Sequence, residues 1–167
     1  REDDFVQSIA DALQFISYYH PDDFIQALSS AWEKEQSPAA RDAIAQILVN
    51  SRMCAEGHRP ICQDTGMVVV FVDVGMDVRW DSSMSLEQMV NEGVRRAYMR
   101  PDNLLRASMV SDPLGARRNT GDNTPAIIHT RLVPGDRVAV KLAAKGGGSE
   151  NKARFTVLNP SASLVDW

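Results

Sequence analysis

The run Met67-Val-Val-Val-Phe-Val72, extended by Asp73 and Val74, constrains the fold of this chain more than any other feature. It is the longest apolar stretch, and β-branched residues dominate it. Such a run predicts a buried strand, and a buried strand needs neighbours to take up its backbone N–H and C=O groups. It is also far short of the roughly 18 apolar residues that a membrane helix requires.

Upstream of the run the periodicity is helical. Phe5, Ile9, Leu13 and Ile16 recur at helical spacing, with Asp3 and Asp4 at the end where the macrodipole favours negative charge. Pro21 breaks the pattern. Phe24, Leu28 and Ala31 start a second stripe that stops before Ser37-Pro38, an N-cap followed by proline at the first helical position. Ala40, Ile44, Ile47, Leu48 and Ser51 carry a third helix, with Gly57 as its expected C-cap.

Downstream the signals mix. Ser85-Leu-Glu-Gln88 is a capping box opening a helix through Leu86, Met89, Val90, Gly93, Val94 and Ala97, which must end before Pro101. Residues 104 to 110 read as a helical turn or an extended segment. Ala126–Leu132 and Arg137–Leu142 read as strands joined through Pro134-Gly135-Asp136, a turn of hairpin character. A further helix is expected to start at Ser149. The order predicts an α+β fold: an N-terminal helical segment followed by a mixed sheet packed with helices. Residues 1–167 are expected to form one domain, helical over about 1–57 and mixed over about 58–167.

The 167 residues carry a net charge of −4, with no long run of Lys or Arg. That balance speaks against nucleic acid as a partner, and nothing in the pattern points to a membrane. The acidic start Arg1-Glu-Asp-Asp-Phe5 is unlike a signal peptide, and two cysteines are too few for a disulfide framework. A cytoplasmic location is expected. The ends at Arg1 and Trp167 read as cuts in a longer protein.

Three segments are polar or glycine-rich where a plain fold does not need them. Arg59-Pro-Ile-Cys-Gln-Asp-Thr-Gly66 combines a soft metal ligand, an amide, a carboxylate and a hydroxyl; read alone, it is equally a loop with a buried Cys. Asn119-Thr-Gly-Asp-Asn-Thr-Pro125 reads by itself as ordinary turn chemistry. Lys145-Gly-Gly-Gly-Ser-Glu-Asn-Lys152 leaves backbone N–H groups uncovered, which suits an anion or a hinge; it lacks the Walker A order. Arg106 is a surface cation or a carboxylate clamp. Cys54, His58 and Cys62 have a spacing compatible with zinc, but Pro60 interrupts the helix and a fourth ligand is missing.

In their order and spacing, Pro60-Ile-Cys-Gln-Asp-Thr-Gly66, Gly121-Asp-Asn-Thr-Pro-Ala126 and Ala144-Lys-Gly-Gly-Gly-Ser-Glu-Asn-Lys152 together resemble the N-terminal region of class I, iron–sulfur fumarate hydratases. The alpha subunits of L-tartrate dehydratases are similar. The likeness extends to Asn103-Leu-Leu-Arg-Ala-Ser108 and Leu158-Asn-Pro-Ser161. It implies a 4Fe–4S cluster in the full-length parent, with Cys62 as the first of three thiolate ligands. It also implies Gln63, Asp64, Arg106 and Gly148 at the substrate, with Asp64 the catalytic group that handles the proton of the hydroxyl. The other two cluster cysteines are absent from these residues, so the chain alone is expected neither to retain the cluster nor to catalyse. The parent is then a homodimeric hydro-lyase that interconverts fumarate and L-malate, or acts on tartrate or another hydroxydicarboxylate. Its missing C-terminal domain would be a partner of this one. A different class of function, an anion- or nucleotide-binding module built on the glycine loop, stays open at this point.

Overall fold

A computed structural model describes residues 1–102, 105–147 and 154–163. Helices α1 (Glu2–Tyr18), α2 (Asp22–Lys34) and α3 (Pro38–Gly57) precede strand β1 (Met67–Gly75) and helix α4 (Leu86–Tyr98). Two short strands, β2 (Val110–Ser111) and β3 (Arg118–Asn119), pair with each other. Strands β4 (Ile127–Val133) and β5 (Val138–Lys145) complete a three-stranded mixed sheet, giving the α+β class the sequence predicts.

The sheet runs β4-β1-β5, with β1 parallel to β4 and antiparallel to β5. This corrects the expected hairpin: β4 and β5 are consecutive in the chain but not adjacent in the sheet. The physical reason lies in side-chain distribution. β1 is apolar along most of both faces and takes the central position, while β4 and β5 carry His129, Arg131, Lys141 and Lys145 and tolerate an edge. Their connection passes over the end of β1. Gly75 N–H donates to Arg137 O (2.8 Å), Met76 N–H to Val133 O (2.9 Å) and Asp77 N–H to Gly135 O (2.9 Å). A Cβ on Gly75 would lie 2.2 Å from Gly135 O, so the crossing requires glycine there.

One face of β1 is buried. Val68, Val70, Val72 and Val74 pack under α1 and α4, against Ile9, Leu13, Val90, Val94 and Ala97. Gly93 lets the two helices touch: a Cβ there would meet Ile9 Cβ at 2.7 Å and Val6 O at 2.8 Å. The opposite face is open, so the strand is less enclosed than its composition implies. Phe71 is 48% exposed and stacks on His129, with ring centroids 5.0 Å apart.

The helix ends follow the sequence with one exception. Ser85 and Gln88 form both halves of the capping box. Pro38 opens α3 as expected. Gly57, however, is the last helical residue, and His58 takes the left-handed capping position at φ 46°. Two contacts explain its tolerance of that conformation: its ring stacks on Tyr18, and Nε2 lies 2.9 Å from the Tyr19 hydroxyl. α2 buries no residue; it pairs with α3, where the Arg41 guanidinium sits 4.1 Å over the Trp32 ring. The expected helix at Ser149 lies outside the described residues.

Candidate active site

Strand directions assemble the site. β1 and β4 are parallel, so the loops before them emerge at the same end of the sheet; β5 is antiparallel and ends there too. The Cys62–Gly66 loop, the Gly121–Ala126 loop and the start of the glycine loop at Gly146 therefore meet. These are the three segments that the sequence singles out.

Gly66 makes the meeting possible. Its φ is +72°, and a Cβ would lie 2.3 Å from the Lys145 carbonyl carbon, so only glycine fits the turn against the end of β5. Two residues before it, Asp64 accepts from Gly66 N–H through Oδ1 (3.0 Å) and from Gly147 N–H through Oδ2 (2.9 Å). The carboxylate thus fastens the glycine loop to the cysteine loop. The Gly147 N–H is therefore already engaged by a carboxylate.

Cys62 is a free, exposed thiol whose Sγ receives the Asp64 N–H at 3.4 Å. Beside it lies a cavity of about 210 Å³ lined by Ser17, His20, Cys62, Asp64, Thr65 and Ala144, among others. Gln63 is exposed and accepts through its backbone carbonyl from Arg106 Nη1 (3.3 Å). Arg106 is likewise exposed, and its carbonyl accepts from the Thr65 hydroxyl. Tyr98, whose pKa burial pushes up, donates its hydroxyl to Thr65 O (3.0 Å). The structure thus brings Cys62, Gln63, Asp64 and Arg106 into one neighbourhood; Gly148 lies outside the described residues.

The zinc spacing does not become a site. The Cys54 thiol is buried, 3.6 Å from Pro60 O and 3.8 Å from Asn50 Oδ1, and His58 is turned to Tyr18 and Tyr19. Among the described residues no three His, Cys, Asp or Glu side chains are grouped to hold a metal. Cys62 therefore fits a soft metal centre only as one thiolate among ligands from elsewhere.

Sequence reasoning missed His20. The junction of α1 and α2 carries it to the cavity, and no motif marks it. Its Nδ1 lies 3.0 Å from Ser51 Oγ, and burial lowers its pKa, which disfavours the protonated ring. Asn123 was readable only as a turn former; its side chain proves to be completely buried.

Chemically the rim offers a thiol for soft metals, an oriented carboxylate for proton exchange and a guanidinium for a carboxylate ligand. The chain is 30% identical over 154 residues to a Methanocaldococcus jannaschii protein provisionally named the alpha subunit of L(+)-tartrate dehydratase, covering 87% of this chain and 52% of that one. It is 27% identical over 153 residues to the L(+)-tartrate dehydratase subunit alpha of Escherichia coli (strain UTI89), covering 92% and 50%. Against the anaerobic class I fumarate hydratase of Escherichia coli (strain K12) the identity is 35% over 120 residues, covering 72% and 21%. The chain spans about half the length of the two alpha subunits. A fumarate hydratase (Fumerase) family model matches residues 6–167, nearly the whole fold that builds this rim, and the chain belongs to that family.

Proposed function

We propose that this chain is the N-terminal part of a hydro-lyase that reversibly adds water to fumarate, giving L-malate. Tartrate or another hydroxydicarboxylate is the alternative substrate of the same site. The observation that carries the reading is the junction of Cys62, Asp64 and Arg106 at one end of the sheet, on loops tied together by Asp64 and Thr65. Alone, the chain is expected to be inactive.

Cys62 would supply one thiolate to an iron–sulfur cluster whose remaining ligands come from outside these residues. When bound, such a cluster acts as a Lewis acid toward a hydroxyl and a carboxylate. The other steps belong to the protein. Arg106 binds a substrate carboxylate, and the charge that builds on it as water adds across the neighbouring double bond strengthens the contact. Asp64 is oriented by the Gly66 and Gly147 N–H groups and exchanges the proton of the arriving or departing hydroxyl. Gln63 and the Gly148 backbone complete the polar contacts to the substrate. A location in the cytoplasm and a homodimeric parent accord with this reading.

The test uses the full-length protein, reconstituted anaerobically with iron and sulfide and assayed with fumarate, L-malate, mesaconate and L-tartrate. Cluster absorbance and dehydration of one hydroxydicarboxylate are expected, and Cys62→Ala should abolish both. Arg106→Lys should raise KM at least about 10-fold, because a point charge replaces a bidentate fork. Absence of iron together with absence of activity on all four acids sinks the proposal.

A further inference from the structure

The two loops that carry the candidate site groups are joined by a residue that the hydro-lyase reading leaves without a role. Asn123 is 0% exposed and sits in the left-handed region at φ 62°, which Asn tolerates better than most residues. Its Oδ1 accepts from the N–H groups of Ser108 (2.8 Å) and Met109 (2.9 Å). Its Nδ2 donates to Gly66 O (2.7 Å). One amide therefore bonds both the end of the Cys62–Gly66 loop and the segment two residues beyond Arg106.

We infer that Asn123 is a positioning residue: it sets the spacing between Cys62 with Asp64 on one side and Arg106 on the other. The inference rests on the proposed hydro-lyase reading, since it matters only if those groups act on one substrate.

The chemistry singles out asparagine. The position needs two acceptor directions and one donor on a short side chain, and an amide supplies them. Aspartate keeps the acceptors but sets an oxygen against the Gly66 carbonyl. Glycine keeps the backbone conformation and removes every bond. Between the two segments there would then remain the Thr65 hydroxyl on Arg106 O and the 3.3 Å contact from Arg106 to Gln63 O. Neither reaches Ser108 or Met109, so the segment beyond Arg106 would lose its tie to Gly66. A misplacement of about 1 Å is enough to cost about 100-fold in rate.

A control stands close by. Asn91, on α4, accepts the Ala126 N–H through Oδ1 (2.8 Å), three residues along the same loop, a bond that involves neither the Cys62–Gly66 loop nor the Arg106 segment. In the full-length protein with its cluster reconstituted, Asn123→Gly should lower kcat/KM about 100-fold, mostly through kcat, with Asn123→Asp at about 10-fold. Asn91→Ala should stay within about 3-fold, since it moves no site group. Loss in Asn123→Gly no greater than in Asn91→Ala overturns the inference. If the Asn123 variants do not fold, hydrogen exchange on the wild type decides. A saturating dicarboxylate should slow exchange at the Ser108 and Met109 N–H groups and leave Ala126 unchanged; no slowing at either residue overturns the inference. A wild type inactive on every dicarboxylate overturns the hydro-lyase reading and this inference with it. An active wild type whose Asn123→Gly variant is unaffected overturns the inference alone.

Discussion

Under α1 and α4, side chains such as Val6, Ile9, Leu13, Val70, Val90 and Val94 are at most 1% exposed and almost wholly apolar. At the loop-bearing end of the same sheet, contacts that hold one segment to another are made by Asp64, Thr65, Tyr98, Arg106 and Asn123 onto backbone groups. Burying one aliphatic side chain contributes roughly 1.5–3 kcal/mol, against about 1 kcal/mol net for a hydrogen bond. Apolar contacts therefore supply stability without fixing loop geometry. Directional bonds at the rim fix geometry while adding less stability. A site that positions a thiol, a carboxylate and a guanidinium needs the second kind of contact, and a domain cannot stand on that kind alone.

The contrast can be broken by mutation. Leu13→Ala should destabilise the chain by about 2–5 kcal/mol in urea unfolding, through lost burial and the cavity left behind. Thr65→Val should cost about 1–3 kcal/mol, because the Arg106 carbonyl loses its hydroxyl donor. If the second loss equals or exceeds the first, the rim carries more of the stability than the contrast allows. Ser85→Ala removes the capping bond to Gln88 N–H (3.2 Å) at the start of α4 and should cost about 1 kcal/mol, without removing a buried apolar side chain or a rim bond. The smallest effect concerns pH. Glu2 is held below the ordinary glutamate range by the Ser82 hydroxyl and by the Ser83 and Met84 N–H groups. A depressed carboxyl stabilises the fold above its unfolded pKa and loses that contribution as pH falls through its folded pKa. The thermal midpoint should therefore drop more steeply below about pH 4.5 in the wild type than in Glu2→Gln; parallel curves would show that this contact holds nothing.

Much of this was readable from spacing. The stripe through Ile9 and Leu13, the capping box at Ser85 and the valine run at β1 each follow from a local period, and local periods survive into the fold. The convergence of the three polar segments was signalled by family likeness, not by their individual chemistry. What could not be read depended on contacts between distant residues. Nothing near His58 announces that Tyr18 and Tyr19 will steady it in a left-handed turn. Nothing near Asn123 distinguishes a structural clamp from an ordinary turn residue, because its partners lie at Gly66 and Ser108. The hairpin expectation failed for a related reason: Pro134-Gly135-Asp136 is good turn chemistry, and only competition for the central position decides that β1 comes between its flanks.

That strand order has a consequence for synthesis on the ribosome. A hairpin closes as soon as its second strand emerges, but here the valine-rich strand has no partner near it in sequence. Val69 pairs with Ile127 on one side and with Ala143 on the other. At roughly 5–20 residues per second, the nascent chain carries both strand edges unpaired for several seconds. Over that interval helices α1 and α4 can cover its buried face, while the unpaired edges are open to association between neighbouring chains.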